Sequence, residues 1–111
     1  MSADAKLLDD LSALMLPHGA RAQRMFGGTC FMLNGNLALG THKQGLIVRI
    51  GADALDEALA LGATPMVMGG RTMKGWVMVD QPQALMPWVM MALAFNATLP
   101  PEAAKKASRK T

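Results

Sequence analysis

Cys30-Phe31-Met32-Leu33-Asn34-Gly35-Asn36-Leu37-Ala38-Leu39 is the stretch that decides the fold. Two apolar runs flank Asn34-Gly35, and a two-residue type I′ turn needs positive φ at both central positions, which asparagine and glycine adopt with little strain. Strands joined by so short a turn pair antiparallel. The turn sets Leu33 opposite Asn36, Met32 opposite Leu37, Phe31 opposite Ala38 and Cys30 opposite Leu39. Opposite residues share a face. Cys30, Met32, Leu37 and Leu39 are therefore expected on the core side, and Phe31, Leu33, Asn36 and Ala38 on the other.

Upstream of the hairpin the period is helical. Leu7, Leu8, Leu11, Leu14 and Met15 form an apolar stripe behind a Ser2 N-cap, and Pro17 with Gly19 stops the helix. Arg21 begins strand-like sequence. Downstream, Leu46-Ile47-Val48-Arg49-Ile50 alternates, with Leu46, Val48 and Ile50 inward and Ile47 and Arg49 outward. Asp53 is expected to cap a short helix whose buried stripe is Leu55, Leu59 and Ala58, with Gly62 at its left-handed end. Met66-Val67-Met68 is a short apolar run, Gly69-Gly70 follows, and Gly75-Trp76-Val77-Met78-Val79 reads as a strand. The last helix opens near Gln83 or Ala84, which puts Pro87 in its first turn, and buries Leu85, Trp88, Val89, Ala92, Leu93 and Phe95.

The expected architecture is α+β: an antiparallel sheet of about five or six strands with helices packed on one face, in the order α-β-β-β-α-β-β-α. The sheet's other face would expose Phe31, Leu33 and Ile47, more apolar surface than a monomer leaves in water. A homodimer burying those three residues is the expectation.

The chain's 111 residues, 51% apolar and 17% charged, suit one ordered domain and exclude a disordered one. The domain is read as residues 1–101. Residues 102–111 form a basic flexible tail, in which Lys105, Lys106, Arg109 and Lys110 stand against Glu102 alone. Outside the tail, seven basic and seven acidic side chains cancel. No apolar stretch reaches the ~18–20 residues of a membrane span, and no secretory signal is visible. With one cysteine, Cys30, a reducing cytoplasm is the expected compartment. Eleven methionines and no tyrosine suit an irregular core or an adaptable binding surface.

Catalytic chemistry finds no foothold. His18 and His42 have no cysteine or carboxylate at zinc-ligand spacing. The methionines Met25, Met32, Met66, Met68 and Met73 could ligate a soft metal but are better read as packing. Cys30 lies mid-strand without a neighbouring base. Gly69-Gly70-Arg71-Thr72-Met73-Lys74-Gly75 matches neither a Walker loop nor a dinucleotide loop, and a strand follows it. No catalytic residue, metal or cofactor is expected. Arg24, Arg49, Arg71 and Lys74 could still converge on an anion, or simply hold turns and carbonyls.

Several stretches taken together are familiar: Arg24-Met25-Phe26-Gly27-Gly28, Asn34-Gly35, Leu46-x-Val48-Arg49, Pro65-Met66-Val67-Met68-Gly69-Gly70-Arg71, Met73-Lys74-Gly75-Trp76-Val77 and Leu99-Pro100-Pro101. From about Arg21 to Pro101 the chain resembles the N-terminal domain of the TfoX/Sxy family of bacterial competence regulators, in its short stand-alone form. The resemblance implies a compact α+β domain and a regulatory, non-enzymatic role. Full-length members promote competence-gene transcription with the cyclic-AMP receptor protein and carry a helical C-terminal domain that the residues to Thr111 do not include.

The expected function is a cytoplasmic binding module acting through protein contacts. Its expected surface joins Arg24, Phe26, Gly27, Gly28, Arg49, Gly69, Gly70, Arg71, Lys74 and Trp76, because arginine and tryptophan dominate interface energetics and glycines allow close backbone approach. Two other classes compete. One is direct nucleic-acid binding through the body arginines and the tail, which would weaken steeply with salt. The other is a small anionic-ligand binder or enzyme at the Arg49/Arg71 region.

Overall fold

A computed structural model describes residues 3–25, 28–42, 45–80, 82 and 84–99. Ser2, Phe26, Gly27, Gln83 and the tail at 102–111 lie outside the described residues.

The first helix, α1 (Ala3–Met15), runs into a 3-10 turn at Leu16–His18. Pro17 fits the start of that turn, and Gly19 closes it at φ 88° with its N–H on the Leu16 carbonyl. Four strands follow: β1 (Arg21–Met25), β2 (Gly28–Leu33), β3 (Asn36–His42) and β4 (Gly45–Arg49). A 3-10 turn at Ala52–Ala54 leads into α2 (Leu55–Ala60). The chain then makes β5 (Thr64–Met68), β6 (Arg71–Asp80) and α3 (Met86–Asn96). All six strands form one sheet in the order β1-β2-β3-β4-β6-β5, and every neighbouring pair is antiparallel. The α+β architecture and the element order expected from the sequence are those of the molecule.

One layer of helices covers one face. Leu11 and Met15 of α1, Ala58 of α2, and Trp88, Val89 and Ala92 of α3 share a core with Phe31, Leu39, Leu46, Val48, Val77 and Val79 of the sheet. The register builds that core as rows: Leu39 faces Val48, Val48 faces Val77, and Leu46 faces Val79. The buried amide of Asn96 ties α3 to the hairpin, its Nδ2 donating to the Leu33 carbonyl at 3.2 Å. α3 begins at Met86 rather than near Gln83 or Ala84, and Pro87 sits in its first turn as expected, where its missing N–H costs nothing.

The hairpin turn is as read, with Asn34 at φ 56° and Gly35 at φ 79°. Leu33 pairs with Asn36 and Met32 with Leu37, but the ladder then shifts, so Phe31 pairs with Leu39 and Cys30 with Gly40. Ala38 is the extra residue of a β-bulge, and the expected faces are corrected accordingly. Phe31 is 0% exposed and lies on the helix-covered side, with Leu33 packed against the same core. Cys30 and Ile47 belong to the other face, where Gly40 stands between them in the register, and both are buried within the single chain. The open apolar face expected of Phe31, Leu33 and Ile47 does not exist at these positions, so the reason for placing a dimer interface there falls away.

Three local expectations are also corrected. Neither the 3-10 turn at Ala52–Ala54 nor α2 has a side-chain cap, so Asp53 is not one. Leu59 is exposed, because α2 is a single short helix that turns only Ala58 fully inward. Gly62 does end it in left-handed geometry, with Ala63 N–H on the Ala58 carbonyl and Gly62 N–H on Leu59. The strand after Gly69-Gly70 begins at Arg71 rather than Gly75, since the two glycines, at φ 60° and 79°, are themselves a two-residue hairpin turn that pairs Met68 with Arg71.

Candidate functional site

The β5–β6 ladder is interrupted. Pro65 pairs with Val77 and the next β5 residue, Met66, pairs with Met73, which leaves Lys74, Gly75 and Trp76 bulging from β6 with no β5 partner. Bulges of this kind re-aim side chains and recur beside functional sites. This one is held from the β4 side. The Gly75 carbonyl accepts from Ile50 N–H at 2.8 Å and from Gly51 N–H at 3.0 Å. Gly75 has φ 80°, and a Cβ there would lie 3.1 Å from the Gly51 Cα. Only glycine fits so tight a crossing of two backbones.

On the β4 side Trp76 pairs directly with Arg49. The Arg49 Cζ lies 5.4 Å from the Trp76 ring centroid and 5.5 Å from that of Phe95, which reaches over from α3. Phe95 gets there because Gly51, at φ 83°, has no side chain, and a Cβ would meet the ring. Both distances are within cation–π range, worth about 0.5–1 kcal/mol each at a partly exposed site. A guanidinium near aromatic rings can still donate its N–H groups to a carboxylate or phosphate. Among the described residues the one ion pair is Lys6–Asp10 on α1, so no described carboxylate neutralises Arg49.

Beside the stack lies an apolar hollow of about 310 Å³, lined by Ala52, Leu55, Pro65, Met73, Lys74 and Trp76. Lys74 is the one charged side chain among them. A second hollow of about 400 Å³ runs between the end of α2 and the start of α3, lined by Leu61, Pro82, Pro87 and Trp88, with Asp80 at its margin. Neither holds an acid–base pair. Among the described residues no group of three or more His, Cys, Asp or Glu side chains is placed to hold a metal ion. Burial pushes the Cys30 thiol up and away from its reactive thiolate form.

The structure divides the residues nominated from the sequence. It brings together Arg49, Lys74 and Trp76. Arg71 is exposed at the tip of the β5–β6 hairpin with Gly69 and Gly70, on the same strand as the bulge but three residues or more from it. Arg24 and Gly28 are elsewhere. Arg24 is exposed on edge strand β1, four strand spacings from β6, which is about 19 Å at ~4.8 Å each. It also sits at the opposite end of the sheet, level with Thr29 rather than with the Arg49–Trp76 row. Phe26 and Gly27 lie outside the described residues. Helical spacing alone puts Phe95 in the buried stripe of the last helix, because nothing local in the sequence shows that Gly51 clears a path for its ring.

Among the described residues no helix is long and apolar enough to cross a membrane. A family model described as the TfoX N-terminal domain matches residues 13–96, more than half of the chain. No curated protein and no solved structure matches it.

Proposed function

The chain belongs to the TfoX N-terminal domain family, and from that membership we propose that it is a non-enzymatic regulatory module of TfoX type, working in the cytoplasm through protein contacts. The observation that supports this reading is the Arg49 guanidinium within cation–π range of both Trp76 and Phe95, next to an apolar hollow with Lys74 at its wall. Interface energy concentrates on arginine and tryptophan set in well-packed surroundings. Two rings also hold Arg49 in place before any partner arrives, so little of its freedom is lost on binding. The partner that fits presents a carboxylate to Arg49 and an apolar side chain to the hollow.

The test is affinity capture from native cell lysate, with and without nuclease, comparing the wild-type chain with Arg49→Lys. Lysine keeps the charge but has no planar fork. Capture of a discrete protein that survives nuclease and falls about tenfold in the variant, a loss near 1.4 kcal/mol, is the expected result. Capture unchanged by Arg49→Lys contradicts the assignment, and capture abolished by nuclease moves the function to nucleic acid. The hollow also favours a second reading, a small amphiphilic anion seated against Lys74 and Trp76, which a thermal-shift screen of aromatic carboxylates would reveal.

A further inference from the structure

The two edges of the sheet are built differently. At one edge, β5 carries Pro65, which removes a ladder donor, and its pairing with β6 is broken by the bulge. Both devices discourage another strand from adding there. At the other edge, β1 has neither. Its five residues pair with β2 in one unbroken register, from Arg21 with Met32 to Met25 with Gly28. Arg21, Ala22, Gln23 and Arg24 are all exposed, so the side of β1 turned away from β2 is open among the described residues.

The charge on this edge selects what can add to it. Successive strand residues alternate faces, so Arg21 and Arg24, three positions apart, lie on opposite faces of the sheet. β1 itself, Arg21 to Met25, contains no acidic residue, so a second copy added along this edge leaves both arginines without a charge partner. The one ion pair among the described residues, Lys6–Asp10, involves neither arginine.

We propose that β1 is a docking edge for an extended acidic segment of another protein, added as a seventh strand with acidic residues three positions apart facing Arg21 and Arg24. Main-chain hydrogen bonds along the edge supply affinity, and the two charge pairs, one on each face, fix register. In either strand direction the residues opposite Arg21 and Arg24 are three apart, so the spacing does not depend on orientation. The edge is three strand spacings from Arg49 and four from Trp76, so its success or failure is independent of the function proposed above.

The test uses the full chain and a synthetic ten-residue peptide of alternating valine and threonine carrying two glutamates three positions apart, with a two-lysine version as control. Amide hydrogen exchange is followed residue by residue. The glutamate peptide is expected to slow exchange at residues 21–25, and Arg21→Glu/Arg24→Glu to weaken that binding by about tenfold or more while gaining the lysine peptide. Because the variant gains a ligand as it loses one, misfolding cannot mimic this outcome. No slowing at residues 21–25, equal binding of both peptides by both proteins, slowing at residues 21–25 without peptide as the chain self-associates, or an oligothymidylate competing the glutamate peptide off would each overturn the proposal.

Discussion

Replacing Phe31 by alanine is expected to lower the unfolding free energy by about 3–5 kcal/mol, a large part of what a domain of this size has. Phe31 is 0% exposed and the bulkiest of the fully buried side chains. It lies where the Asn34-Gly35 hairpin meets the helix layer, paired with Leu39 and in one core with Leu11, Met15, Val48 and Val89. Those residues belong to α1, β4 and α3, so a cavity at Phe31 opens in the core that these three elements share with the hairpin. Urea unfolding followed by circular dichroism measures the loss. A change below about 1 kcal/mol, the range of an exposed surface site, would mean that Phe31 faces outward, as the hairpin arithmetic alone suggests.

Gly75→Val is expected to cost about 2–5 kcal/mol and to disorganise the candidate site as well. Two terms add. A β-branched residue at φ 80° is strained by about 1–2 kcal/mol. Its Cβ, 3.1 Å from the Gly51 Cα, forces the two backbones apart at a further cost of about 1–3 kcal/mol. Relief of that strain loosens the hydrogen bonds from Ile50 and Gly51 to the Gly75 carbonyl, which are what hold the bulge. The Trp76 ring then leaves Arg49, so tryptophan fluorescence of the folded variant should shift to the red, while Trp88, buried at the root of α3, reports an intact core. A variant as stable as wild type, with unshifted emission, would show that the bulge does not depend on glycine.

These two positions also mark how far the sequence could be read. The Asn34-Gly35 turn was legible because its requirement is local: two adjacent residues must take positive φ, and the residue types say which can. The bulge four residues on was not. The shifted ladder sets Cys30 against Gly40, a position that only glycine fills there, since a Cβ at residue 40 would come within 2.7 Å of the Cys30 Sγ. That clash exists only once the strands are paired, so no strand-by-strand pattern announces it. One inserted residue then reversed the face of Phe31, and with it the reason for a dimer. Leu46 and Val48, on a strand without a bulge, and Ile50 just beyond its end face inward as their alternation says.

The site divides along the same line. Arg49, Lys74 and Trp76 could be nominated by residue type and by the glycines near them, because tight backbone crossings need glycine wherever they occur. Their pairing could not, since it follows from β4 and β6 being neighbours across an intervening helix and strand. Arg24 shares their residue type and stands beside glycines, which is all that residue type and spacing offer for grouping it with them. The strand order places Arg24 and Arg71 near opposite edges of the sheet.

The most direct test of the protein-contact account is a hydrogen-exchange footprint of the chain bound to the protein it captures, against the chain alone. Slowed exchange at residues 49–51 and 74–76, extending to the α2 residues beside the hollow, is the predicted result. Protection that leaves residues 49–51 and 74–76 unchanged would contradict it.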